Sequence, residues 1–167
     1  ALDDIELERN FKSSSVMEFC KNNKNEFILV TQHPETSSNI SIQEQISGLI
    51  RFLNKSSKTS FLITASNSDP GGYILNDILK KIANSRENIL FVDNLGRNDY
   101  LCAIRHCRYV LGNSSSALVE VPALDKISFN IGRRQDGRLL ANTVINLDNN
   151  FIDDLESIFH KFKTTNQ

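Results

Sequence analysis

The sequence carries almost no net charge: 19 Lys and Arg stand against 20 Asp and Glu in 167 residues, giving −1 at pH 7. No long basic run is present, which excludes a partner held mainly by an extended positive patch, nucleic acid first among them. No apolar run reaches the length of a bilayer span, so no membrane partner is expected. The start, ALDDIELERN, is acidic and lacks the basic-then-apolar order of a secretory signal. It also lacks an initiator methionine, which fits a processed protein or an excised fragment. Cysteines are few and odd in number: Cys20, Cys102 and Cys107, at spacings that match no zinc pattern. Free thiols in a reducing cytosol are the expectation, with a cytoplasmic location. Cys102 and His106 lie four apart, yet two ligands do not make a metal site; helix packing explains them, and neither metal nor cofactor is expected. No repeat, low-complexity tract or Pro-rich linker divides the chain, so residues 1–167 are read as one domain. With 40% hydrophobic residues it has material for a real core.

What is present is an alternation. EFILVT at Glu26 to Thr31 is a short continuous apolar run, as in a strand buried on both faces. Ser38 to Asn54 places Ile42, Ile46, Leu49, Ile50 and Leu53 on one helical stripe. SFLIT at Ser60 to Thr64 reads as a second strand, and a helix follows with Ile74, Ile78 and Ile82 in register and Leu75 and Leu79 beside them. Asn88 to Val92 is strand-like, Asp99 to His106 helical, Tyr109 to Leu111 a short strand, Ser116 to Leu124 a short helix, and Ile127 to Ile131 a strand. Asn142 to Leu147 reads as a last strand, Phe151 to Phe162 as an amphipathic helix, and Asp3 to about Asn23 as a helical lead-in. Strands and helices in alternation with short links predict an α/β fold with a parallel sheet between two helical layers. Ligands in such folds bind beyond the carboxyl ends of the strands. Attention therefore falls on the loops TQHPETSSN, ASNSDPGG, DNLGR, GNSSS and GRRQDGR.

GNSSS is the most informative of these. Gly112 permits a sharp turn and close approach of backbone to a ligand, and Ser114, Ser115 or Ser116 can cap the helix that follows. Unpaired N–H groups and the peptide dipole at a helix start favour an anion, typically a phosphate. The dipole contributes about 0.3–1 kcal/mol and each hydrogen bond to a charged group about 1.5–3 kcal/mol. A diphosphate therefore needs several donors and a fixed cation. Arg133, Arg134 and Arg138 supply guanidinium candidates, whose forks match phosphate oxygens. Glu120, a turn or more past the serines, suits the two hydroxyls of a ribose. Arg97, Arg105 and Arg108 read as solvated helix charges. Asp69 and the pair Gly71-Gly72 suit either a cleft or a plain turn. Asn113-Ser114-Ser115, Asn39-Ile40-Ser41 and Asn54-Lys55-Ser56 satisfy the glycosylation sequon, but nothing else looks secreted.

LGNSSSALVEVPAL followed by FNIGRRQDGR, with ILVTQHPET, ASNSDPGG and VDNLGRNDYL upstream in the same order, resembles the C-terminal domain of the hydrolysing UDP-N-acetylglucosamine 2-epimerases. The match runs from about Phe27 to Leu147. The GRRQDGR segment differs from the Thr-Glu-Arg-Pro-Glu type of the non-hydrolysing enzymes, which favours the branch serving sialic and related nonulosonic acids. The resemblance implies a Rossmann-like domain forming the C-terminal half of a GT-B arrangement, with the nucleotide sugar in the cleft between domains. It implies elimination of UDP to a 2-acetamidoglucal, then addition of water to release N-acetylmannosamine. On this resemblance Ser114 and Ser115, with Gly112 and Asn113 in the same loop, hold the diphosphate. Glu120 holds the ribose, Arg134 contacts the nucleotide, and His33 faces the diphosphate and the reacting sugar as the catalytic candidate. Ala117, Arg133 and Pro70 depart from the usual residues without removing a binding group. The acid/base carboxylates of the family lie in an N-terminal domain not found in this chain, so the expectation is a binding domain inactive by itself, from a full-length enzyme that is a homo-oligomer acting on a UDP-sugar. Two other functions fit the same residues: the nucleotide-binding half of a GT-B glycosyltransferase, and a non-catalytic α/β interaction domain whose serines only cap a helix. The choice between uracil and guanine stays open.

Overall fold

The computed structural model describes residues 11–36, 39–66, 70–132, 134–136, 141–148 and 157. Six strands form one parallel sheet: β1 (Ile28–Thr31), β2 (Phe61–Thr64), β3 (Ile89–Val92), β4 (Tyr109–Gly112), β5 (Ile127–Ile131) and β6 (Val144–Leu147). Their spatial order is β3-β2-β1-β4-β5-β6. The order reverses between β1 and β4, where successive connections leave in opposite directions and open a crevice at the carboxyl ends. The helices are α1 (Ser14–Asn22), α2 (Ile42–Gln45), α3 (Ser47–Lys55), α4 (Gly72–Asn84), α5 (Gly96–His106) and α6 (Ser116–Ala123).

β1, β2 and β4 are buried at all four positions, which is why their sequences read as continuous apolar runs without alternation. Ile28, Val30, Phe61, Ile63, Leu111 and Phe129 face one helical layer, packing with Leu49, Phe52 and Leu53 of α3 and Leu75 and Leu79 of α4. Leu29, Leu62 and Val110 face the other, against Val16 and Cys20 of α1, Leu101 and Ile104 of α5 and Val121 of α6. The two layers with the sheet between them are the three-layer Rossmann-like fold expected from the alternation. In α4 the buried stripe is Leu75, Leu79 and Ala83, with Ile78 and Ile82 on its flank.

The single helix expected over 38–54 is two. It breaks at Ile46 (φ −107°, ψ 8°). The break coincides with Gln45, whose amide is turned onto the loop after β1. It accepts from the Glu35 N–H at 2.9 Å and donates to the Glu35 and Ile40 carbonyls, each at 3.2 Å. The amphipathic segment expected over 151–162 lies outside the described residues apart from residue 157, and so does the first part of the expected lead-in helix.

On the α5 and α6 side, the last full rung of the sheet turns polar. Thr64, Thr31, Gly112, Asn130 and Asn146 stand in register across β2, β1, β4, β5 and β6. The Thr31 and Thr64 hydroxyls meet at 2.9 Å, and Asn130 Nδ2 donates to Asn146 Oδ1 at 3.0 Å. Gly112 is the rung's small member for a steric reason. At φ +142° a Cβ would lie 1.9 Å from the Thr31 carbonyl oxygen. The close approach that the sequence suggested for a ligand is made by the neighbouring strand.

Two expectations follow. Gly112→Ala forces β1 and β4 apart at the crevice and should cost about 2–5 kcal/mol in urea unfolding, strain and overpacking together. Burial holds the Cys20 and Cys107 thiols up at about 12 against an ordinary 9.0. The thiolate is penalised only in the fold, so this stabilisation is complete below pH 9.0 and declines as pH rises towards 12, where the unfolded chain ionises first. A thiol reagent at pH 8 should label both only on unfolding.

Candidate functional site

The crevice between β1 and β4 is organised by one side chain. Asn113, fully buried, accepts from the His33 N–H through Oδ1 at 2.7 Å and donates to the His33 carbonyl through Nδ2 at 2.8 Å. Its own N–H continues the ladder to the Thr31 carbonyl at 3.1 Å. Its carbonyl accepts from Arg134 Nη1 at 3.1 Å and from Gln135 Nε2 at 2.8 Å. The TQHP, GNSSS and GRRQ segments, read separately in the sequence, thus meet at Asn113. Gln32 Oε1 and Gln135 Oε1 are buried beside this junction with no partner among the described residues.

Beyond the ends of β1 and β2, towards α5 and α6, lies a cavity of about 370 Å³. That is within the range of small-ligand sites. Thr31, Thr64 and Tyr100 contribute to its lining, as do Asp93 and Asn94 of the β3–α5 connection, Gly96 at the start of α5, and Ser114, Ser116 and Glu120 of the GNSSS loop and α6. Ser114 and Glu120 therefore share one cavity, with the start of α6 between them.

The serines divide differently from expectation. Ser115 is the cap residue of α6, but its hydroxyl makes no capping hydrogen bond, and it is exposed. Ser116, weighed in the sequence only as a cap, lines the cavity together with Ser114. Ser114 Oγ lies 3.1 Å from Ser116 Oγ and 3.4 Å from the Ser116 N–H. Ser114 Oγ thus takes the Ser116 N–H and the Ser115 carbonyl takes the Leu118 N–H, so what the start of α6 turns to the cavity is its dipole and the serine hydroxyls.

His33 is buried, its backbone held by Asn113 and its Nδ1 3.0 Å from Ser66 Oγ. It does not line the cavity. Ser66 is itself fixed by Asn76, whose Oδ1 accepts from the Ser66 N–H at 2.6 Å. Arg134 sits at the back of the GNSSS loop on the Asn113 carbonyl, and Arg133, Arg138, Asn67 and Asp69 lie outside the described residues.

Sequence reasoning missed two residues here. Arg97, assigned to solvent, lines the cavity with its guanidinium 3.8 Å from Glu120 Oε1. Tyr100, not singled out in the sequence, lines the cavity with its hydroxyl on Ser116 Oγ. The available signal was position: both lie within the first turn or so of the helix after the DNLGR loop. Cys102 and His106 pack as a helix turn, His106 Nδ1 lying 2.8 Å from the Cys102 carbonyl oxygen. Among the described residues no cluster of His, Cys, Asp or Glu could hold a metal.

A family model described as UDP-N-acetylglucosamine 2-epimerase matches residues 1–165. The chain belongs to the UDP-N-acetylglucosamine 2-epimerase family. Among curated members it is 35% identical over 141 residues to the GDP/UDP-N,N'-diacetylbacillosamine 2-epimerase (hydrolyzing) of Campylobacter jejuni, covering 83% of this chain and 36% of that protein. It is 34% identical over 122 residues to polysialic acid biosynthesis protein P7 of Escherichia coli, covering 72% and 31%. The chain thus spans about a third of the length of these family members. In fold it resembles the UDP-GlcNAc 2-epimerase of Neisseria meningitidis bound to UDP-GlcNAc (TM-score 0.69, 12% identity, 98% of this chain and 46% of that one). It also resembles the Methanocaldococcus jannaschii UDP-GlcNAc 2-epimerase in complex with UDP-GlcNAc and UDP (TM-score 0.68, 12% identity, 95% and 44%).

Asn113→Ala removes both bonds to His33 and strands two buried backbone groups. It should lower stability by about 2–6 kcal/mol in denaturant unfolding, counting about 1–3 kcal/mol for each orphaned group. Asn113→Asp sets a carboxylate oxygen against the His33 carbonyl and should cost at least as much.

Proposed function

We propose that this chain is the nucleotide-binding C-terminal domain of a hydrolysing UDP-sugar 2-epimerase of the sialic and nonulosonic acid branch. The observation that carries this reading is the union, in one cavity at the strand-order reversal, of Ser114 and Ser116 at the start of α6 with Glu120 on the same helix. The names of the two curated relatives support the branch.

In this reading the diphosphate lies over the start of α6, where the helix dipole favours it, the Ser114 hydroxyl donates to its oxygens and Ser115 adds a donor from the exposed side. Arg134 acts on the same loop. Its guanidinium is anchored on the Asn113 carbonyl, so its positive charge stands close behind the anion. Glu120 accepts the ribose hydroxyls. His33, held rigidly through both its backbone groups, presents its imidazole on the β1 side of the crevice, where the diphosphate leaves from the sugar carbon. A histidine suits that place because it donates to a phosphate oxygen, or moves a proton, near neutral pH. Departure of UDP by elimination and addition of water to the resulting glycal complete the reaction in the full-length homo-oligomeric enzyme. The base, uracil or guanine, is read by the β3–α5 connection.

Isothermal titration with UDP and with GDP tests this. UDP should bind the chain, and both Glu120→Gln and Arg134→Ala should weaken it about 10- to 100-fold, the equivalent of one charged hydrogen bond. No heat and no thermal shift at saturating UDP and GDP would sink the assignment.

A further inference from the structure

Five hydroxyls line the way from the sheet to the anion loop. Thr64 Oγ1 meets Thr31 Oγ1 at 2.9 Å. Thr31 stands near Tyr100 and works against the effect of burial on its phenol. Tyr100 meets Ser116 Oγ, and Ser116 Oγ meets Ser114 Oγ at 3.1 Å. All five residues line the same cavity.

Each hydroxyl has one proton to give. Ser114 can point its proton at an anion only if it is not already donating to Ser116, so Ser116 must donate to Ser114. Ser116 is then an acceptor on its other side, and Tyr100 must donate to it. If Tyr100 instead accepts from Ser116, the sequence of donation reverses, and Ser114 presents lone pairs to the anion. The direction of a single phenolic proton therefore decides whether the loop offers a donor or an acceptor. Neighbouring bonds in such a series polarise one another in the same sense.

We infer that Tyr100 is a positioning residue for the anion site, delivering its proton to Ser116 and thereby turning the Ser114 hydroxyl outward onto the diphosphate. This rests on the proposed nucleotide site. Burial raises the phenol above its ordinary range, so the proton is retained at neutral pH.

The test is Tyr100→Phe, which keeps the ring and removes the hydroxyl, titrated with UDP, inorganic pyrophosphate and uridine. Affinity for UDP and pyrophosphate should fall about 3- to 10-fold, the worth of one neutral hydrogen bond, with uridine unchanged. In a Ser114→Ala background the same substitution should have no effect on UDP. Ser116→Ala, which perturbs no packed ring, should reproduce both results if Tyr100→Phe fails to fold. Equal losses for uridine and UDP, an undiminished loss without Ser114, or no loss at all would each overturn the role of Tyr100 while leaving the nucleotide site standing. Failure of the unsubstituted chain to bind UDP or pyrophosphate would overturn both.

Discussion

The structure depends on one amide. Asn113 pairs with the backbone of His33 as a strand residue would, at the place where the sheet has no strand left to continue. At the reversal between β1 and β4 the two loops leave in opposite directions, and each would expose an N–H and a carbonyl inside a buried crevice. One carboxamide satisfies both groups of His33 and fixes the separation of the two loops. Gly112 permits this, because any side chain there would occupy the Thr31 carbonyl. Arg134 and Gln135 then close on the Asn113 carbonyl, tying in the connection after β5.

The same device recurs around the crevice. Gln45 clamps Glu35 and Ile40, and Asn76 clamps Ser66, which in turn touches the His33 ring. Side-chain amides suit this work because each carries a donor and an acceptor in one plane, matching a peptide group. The loops that approach the cavity are thus held by groups rooted in the buried layers. Preorganised donors do not have to be gathered when a ligand arrives, and that preserves the modest free energy each hydrogen bond contributes.

The polar rung at the sheet's carboxyl edge links the fold to the cavity. Thr31 and Thr64 carry hydroxyls that share the cavity with Tyr100 and the serines, and Asn130 and Asn146 form an amide pair. Arg97 and Glu120 set opposite charges at the cavity. A site built this way mixes a floor of hydroxyls with charged groups above it.

The order of strands and helices and the continuous burial of β1, β2 and β4 were legible in the sequence, because local apolar pattern is set by which faces a segment must bury. So were the loops of the site: GNSSS, TQHPET and GRRQDGR carry residue types that a buried strand would not tolerate unless they were needed. What each loop residue touches was not legible. Asn113, placed in the sequence with the diphosphate residues, has its carboxamide on a backbone 80 positions away. Ser116 and Tyr100 meet across two helices, and Arg134 and Gln135 reach a carbonyl more than twenty positions away. Partnerships of this kind depend on strand order, and strand order is a property of the assembled sheet. The sequence alone determined the layers, the edge where chemistry gathers and the anion-seeking residue types; only the tertiary structure decided which amide holds, which hydroxyl donates and which glycine makes room, since these are contacts between segments that no local pattern relates.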